Sequence, residues 1–165
     1  MIRMIAATLA SSFAAWGCWS TQDARAPSAS SESTLESEIS RPSLVGTWTV
    51  TGHLIPGISA MSEAEASAWH GTILQLGEAL AISNETRCET PRYSTEAVLT
   101  SQLLADYKLP PGRLLPLDSL DHATVLHVSC DGAPWGAMGG RVIGISAAEA
   151  LAPWDGVFFT LVRVR

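Results

Sequence analysis

Leu44-Val45-Gly46-Thr47-Trp48-Thr49-Val50-Thr51-Gly52-His53 is the stretch that decides the fold. Thr47, Thr49 and Thr51 alternate with Trp48 and Val50, and a period of two puts successive side chains on opposite faces of an extended strand. The reading is a half-buried strand with its threonines outward and Trp48 turned into a core. Such a strand needs partners, and the rest of the chain offers them at short intervals.

Beyond Pro56-Gly57, Ser62 followed by Glu65 has the form of a capping box, so a short helix of about two turns opens there and ends at Gly71 after Trp69-His70. Thr72–Leu76 and Ala79–Ser83 flank Gly77-Glu78 as a tight hairpin, with Leu74, Leu76, Leu80 and Ile82 expected on the buried face. Residues 92–99 form a further strand. Thr100 or Ser101 is placed to cap a second short helix carrying Leu103, Leu104 and Tyr107, which Pro110-Pro111-Gly112 must stop. Three apolar runs follow, 123–130, 141–146 and 156–164, separated by loops rich in Gly, Pro and Trp. The tally is about seven or eight strands and two short helices without βαβ alternation. That pattern predicts a mainly β chain, an antiparallel meander closing into a small barrel over residues 42–165.

Ahead of this domain, Arg3 and the uncharged run Met4–Gly17 have the form of a secretory signal, too short to span a bilayer. We expect a signal peptide at 1–17. Ala15-Trp16-Gly17-Cys18 resembles a bacterial lipoprotein box, which would make Cys18 a lipidated mature N-terminus; Ala24-Arg25-Ala26, an ordinary signal-peptidase pattern, is the rival. Residues 18–41 are rich in Ser, Glu and Pro and too poor in apolar surface to fold, so they read as a disordered linker. The expected location is the periplasmic face of a bacterial outer membrane, held by the lipid alone, or the soluble periplasm. Ten Lys and Arg against sixteen Asp and Glu give a formal charge of −6 and a pI near 5.1, which argues against nucleic acid as a partner.

At its two ends the domain resembles the calycin superfamily of lipocalin-like and fatty-acid-binding-like barrels. Gly46-Thr47-Trp48, preceded by Leu44-Val45, stands where those barrels carry G-x-W in the first strand, and Arg163 stands where they place a basic residue over that tryptophan. The resemblance implies that Gly46, Trp48 and Arg163 close the barrel's floor, with a cation stacked on an indole contributing about 1–2 kcal/mol. It also implies a non-enzymatic protein without a cofactor, binding a small apolar or amphipathic ligand in the barrel mouth. A compact barrel can instead fill its interior with its own side chains. The chain would then be a protein-interaction module, such as an inhibitor or a partner of an envelope protein.

Cys88 and Cys130 remain for the exported domain and most simply pair, joining the 83–92 loop to the end of the 123–130 strand. Closing a loop of that length would stabilise the fold by about 4 kcal/mol in the chain-entropy model. A metal site built on His127, Cys130 and Cys88 is the alternative, but positions 127 and 130 point to opposite faces of a strand, so no metal is expected. Gly57-Ile58-Ser59 and Gly144-Ile145-Ser146 begin the nucleophile motif of α/β hydrolases, yet Met61 and Ala148 stand where its final Gly belongs. His53, His70 and His122 read as residues of a strand end, a helix end and a turn. His127 with Asp121 or Asp131 would act as an acid/base pair only if the fold joins them, which leaves a small hydrolase as a distant third reading. Gly136–Gly140 has neither the spacing nor the Lys of a phosphate loop, and Asn84-Glu85-Thr86 reads as a surface turn. Trp69, Trp135 and Trp154 fall outside the expected strands, where they either cap the core or line a binding rim.

Overall fold

The first strand, β1 (Gly46–Leu54), buries Trp48 and Val50 and leaves Thr51 exposed, as its alternation demands. In the computed structural model, which describes residues 43–165, β1 pairs antiparallel with the last strand, β10 (Val157–Arg163). Cys18, the signal segment and the linker lie outside the described residues. A register shift between Val50 and Gly52 bends β1 where it runs along β10.

Next come α1 (Glu63–Ser67), β2 (Ile73–Leu76), β3 (Ala81–Ser83), β4 (Thr86–Cys88) and β5 (Arg92–Leu99). The capping box of α1 forms as read: the Ser62 hydroxyl accepts from the Glu65 amide, and the Glu65 carboxylate accepts from the Ser62 amide at 2.8 Å. The Ser62 hydroxyl also donates to that carboxylate at 2.7 Å, and this bond first and the amide bond second hold the Glu65 carboxyl below its ordinary pKa. The β2–β3 hairpin turns one residue later than expected, at Glu78-Ala79, closed by the Gly77 amide donating to the Leu80 carbonyl. Directly opposed residues share a face, so with Leu76 opposite Ala81 and Leu74 opposite Ser83 the buried face holds Ala81 and Ser83. Ile82, opposite Gln75, lies on the other face and is only half-buried, as is Leu80.

The chain continues through α2 (Thr100–Asp106), α3 (Leu115–Asp118), β6 (His122–Cys130), the two-residue β7 (Ala133–Pro134), β8 (Arg141–Gly144) and β9 (Glu149–Trp154). The third helix, β4, β7 and β9 exceed the expected tally. β9 reads poorly because Glu149-Ala150-Leu151-Ala152-Pro153-Trp154 holds two alanines and a proline, all weak strand signals.

All pairings are antiparallel, in the order β4-β3-β2-β1-β10-β9-β8-β6-β5, with β7 beside β6, and the sheet curls into a half-barrel. Its two edges are β4 and β5. The Cys88–Cys130 disulfide, Cα to Cα 5.7 Å, ties β4 to the far end of β6, and the Tyr93 hydroxyl on β5 donates to the Gly77 carbonyl at 2.7 Å. The sheet therefore gathers its edges with a covalent bond and one side-chain hydrogen bond.

Two cores lie on opposite faces of this sheet. Inside, Trp48, Leu74, Leu76, Leu126, Met138 and Phe159 pack together and fill the curl. Outside, Leu103 and Leu104 of α2, with Leu114 and Leu117, cover Val125, Ile143, Leu151 and Phe158. β6, β8, β9 and β10 are thus buried on both faces, which explains why the late apolar runs are continuous rather than alternating.

Candidate functional site

The floor of the half-barrel is built from the first and last strands of the sheet's described part, β1 and β10. Trp48 and Arg163 are opposed residues of β1 and β10, and the Arg163 guanidinium carbon sits 4.1 Å from the centroid of the Trp48 indole. That indole is fully buried, and its Nε1–H donates to the Leu44 carbonyl at 3.0 Å. The guanidinium donates in turn to the carbonyls of Ala147 (2.9 Å), Val45 (3.2 Å) and Ser43. Gly46 makes room for it: its φ is +149°, and a Cβ there would collide with the Arg163 guanidinium. Arg163 is therefore a clamp that stacks on the core and holds the incoming segment before β1.

Among the described residues, the three other tryptophans sit on the inner core. Trp69 and Trp154 are half-buried against it, with the Trp69 ring tilted against Phe159 at 5.7 Å between centroids, and Trp135 is 7% exposed. Trp135 lies deeper than a rim position because its amide pairs with the Val128 carbonyl, drawing the 135–140 segment inward beside Gly140. Inside the curl, then, the indoles meet packed side chains.

The histidines are placed in ways their spacing did not announce. His127 lies on the outer face of β6, where its Nε2 is 2.7 Å from Glu96 of β5; neither Asp121 nor Asp131 is its partner. Both side chains are substantially exposed on an open sheet face. Docking of α1 over β1 builds a chain in which Glu63 Oε1 lies 2.8 Å from His53 Nε2, and His53 Nδ1 lies 2.8 Å from His70 Nε2. This chain ties α1 to β1. Among the described residues no cluster of His, Cys, Asp or Glu is placed to hold a metal.

Two open concavities border the α2–α3 connection on the outer face, and a charged one of about 640 Å³ lies apart from them among Glu78, Glu89, Arg92 and Asp131, beside the Cys88–Cys130 bond. One groove of about 660 Å³ is walled by Leu99, Leu104, Leu109 and Leu120, with Asp118, Asp121 and His122 at its polar edge. Thr100 stands between these walls. It does not cap α2: the N-cap is Leu99, which offers no side-chain acceptor, and the Thr100 amide donates to the Asp121 carbonyl at 3.0 Å. The Thr100 hydroxyl is left buried without a partner, on a residue only 5% exposed. A second groove of about 510 Å³ lies across the connection, between Leu54, Ile55 and Pro116, with Arg113 its one charged residue. Sequence reasoning missed this region because α3 has no side-chain cap to announce it and the leucines of 99–120 read only as a helix face.

Compared with known proteins, no family model, curated protein or solved structure matches the chain. What geometry defines is a disulfide-tied antiparallel half-barrel with a filled interior and apolar grooves on its helix-covered face.

Proposed function

We propose that this is an exported, non-enzymatic, calycin-like domain, anchored through Cys18 at the periplasmic face of a bacterial outer membrane, that binds a small amphipathic ligand. The site of binding is the groove beside α2 rather than a barrel mouth. The observation that carries the reading is the leucine-walled groove of about 660 Å³ with Asp118, Asp121 and His122 at its edge, set against an interior already filled by Trp48, Met138 and Phe159. A concave, mostly apolar site with a few fixed polar groups has the make-up of a small-molecule site. The disulfide and the apolar run before Cys18 agree with an oxidising, extracytoplasmic setting. Native mass spectrometry of the protein purified from its own host tests the reading: a co-purifying small molecule that is lost in Ala105→Trp, which fills the groove from an exposed position, supports it. An empty protein, or a ligand unaffected by that substitution, overturns it. Cys18→Ala should release the protein from membranes; unchanged fractionation refutes the anchor.

A second reading, a protein-interaction module, is favoured by β5. This strand pairs with β6 through eight uninterrupted positions and with no other described strand. The Thr100 amide bond to Asp121 continues that register, so the even-numbered residues of β5 spend their amides on β6. Tyr93, Thr95, Ala97 and Leu99 then point their backbone groups away from the sheet, an edge that an extended segment of an envelope protein can extend. Thr95→Pro removes an outward donor and spares the β6 ladder, so it should abolish such pairing without lowering stability.

A further inference from the structure

We infer that the free edge of β5 docks a second copy of this chain, the two β5 strands pairing antiparallel about a two-fold axis at Ser94; the inference rests on the interaction-module reading above and names its partner. The amides and carbonyls of Tyr93, Thr95 and Ala97 point away from β6 and find no other partner among the described hydrogen bonds. Ser94, Thr95 and Ala97 are exposed and short, so no bulky side chain blocks the approach of another strand. At the opposite edge β4 is only three residues long and its Cys88 is bonded to Cys130. Pairing through β5 alone therefore closes at two copies and does not grow into a fibre.

Charge selects both the partner and the register. Arg92 and Glu96 lie on the same face of β5, four residues and therefore about 13 Å apart along an extended strand, too far to pair within one copy. Arg92 borders the hollow that holds Glu78, Glu89 and Asp131, yet it forms none of the described ion pairs. Glu96 gives one carboxylate oxygen to His127 at 2.7 Å and has the other left over. Antiparallel pairing about Ser94 sets Arg92 of each copy directly opposite Glu96 of the other, so the two-fold makes the complementary pair twice. Tyr93 then exchanges both of its outward backbone bonds with Thr95 of the second copy. An axis at Glu96 would bring two carboxylates face to face, and an axis at Thr95 would leave Arg92 opposite Val98.

The test is sedimentation equilibrium of the full chain carrying Cys18→Ala, which removes the one cysteine outside the Cys88–Cys130 bond. The average mass should climb toward twice the monomer value as concentration rises. Thr95→Pro deletes a donor that the pairing uses and β6 does not, and should weaken association by about tenfold or more, with circular dichroism verifying the fold. Arg92→Glu should dissociate the dimer, and Arg92→Glu combined with Glu96→Arg should restore it. Under oxidation Ser94→Cys should give a disulfide-linked dimer, because facing residues that share no backbone bond lie about 4.5 Å apart at Cα, whereas Thr95→Cys should not cross-link. A chain that stays monomeric at every concentration overturns the inference but not the reading beneath it, which falls only if pairing with another envelope protein survives Thr95→Pro. Association untouched by Thr95→Pro overturns the edge as the docking site. Cross-linking through Thr95→Cys in place of Ser94→Cys, or a charge exchange that fails to restore the dimer, overturns the register and the Arg92–Glu96 pairing with it.

Discussion

Replacing Arg163 by Met keeps an apolar stem over Trp48 and removes the guanidinium, which makes it the sharpest probe of the barrel floor. The lost interactions are the stack on a buried indole and the donations to three carbonyls. A charged hydrogen bond contributes about 1.5–3 kcal/mol net when buried, but these carbonyls lie near the surface, where water replaces the donor. Counting about 0.5 kcal/mol for each and about 1 kcal/mol for the stack, the substitution should cost about 2–3 kcal/mol. Trp48→Leu empties part of the core and should cost about 2–4 kcal/mol. The carbonyl bonds survive in the Trp48 variant, so the double-mutant cycle isolates the stack, with an expected coupling of about 1 kcal/mol. Urea denaturation followed by far-UV circular dichroism measures all four proteins without relying on tryptophan emission. A coupling within about 0.3 kcal/mol of zero would mean that the 4.1 Å approach is geometry without energy, and the account of closure would fall.

Gly46→Ala should lose about 2–3 kcal/mol from the positive φ and the displaced guanidinium, and should lose less in an Arg163→Met background, where the collision is gone; equal costs in both backgrounds would show that backbone strain alone is at work. Reducing the Cys88–Cys130 bond should lower stability by about 2–4 kcal/mol in paired denaturation curves with and without reductant. Because hydrogen bonds from Ser62 depress the Glu65 pKa, this carboxylate stabilises the fold above its unfolded value of about 4.3, and the contribution is lost as pH falls through the lower folded value. The stability gap between wild type and Glu65→Gln should accordingly shrink with acidification below about pH 4. Tyr107 works in the other direction: burial raises its pKa despite the nearby Arg141, so its phenol favours the folded state up to about pH 10 and the contribution disappears as pH rises further. Tyr107→Phe should flatten that alkaline loss in a pH series of denaturation midpoints.

What the amino-acid order settled by itself was local or covalent in origin. The alternation of 47–51 specifies a strand whatever surrounds it, the Ser62–Glu65 pair satisfies amides within one turn, and Cys88 and Cys130, the cysteines of the domain read over 42–165, have each other as the simplest partner. The basic residue of the terminal strand was legible as a stack on Trp48 through resemblance, and the two side chains do meet. Tertiary structure decided everything that depends on which surfaces face one another. The continuous runs of β6, β8 and β10 could not say that helices cover their second face, because a residue buried against a helix and one buried in a barrel look alike in sequence. The hairpin's inward residues changed with a one-residue shift of its turn, since alternation makes register all-or-none. The groove is the extreme case: Leu99, Thr100, Leu109, Asp118 and Asp121 come from a strand end, two helices and two loops, and only packing of α2 and α3 on the outer sheet leaves a gap that joins them.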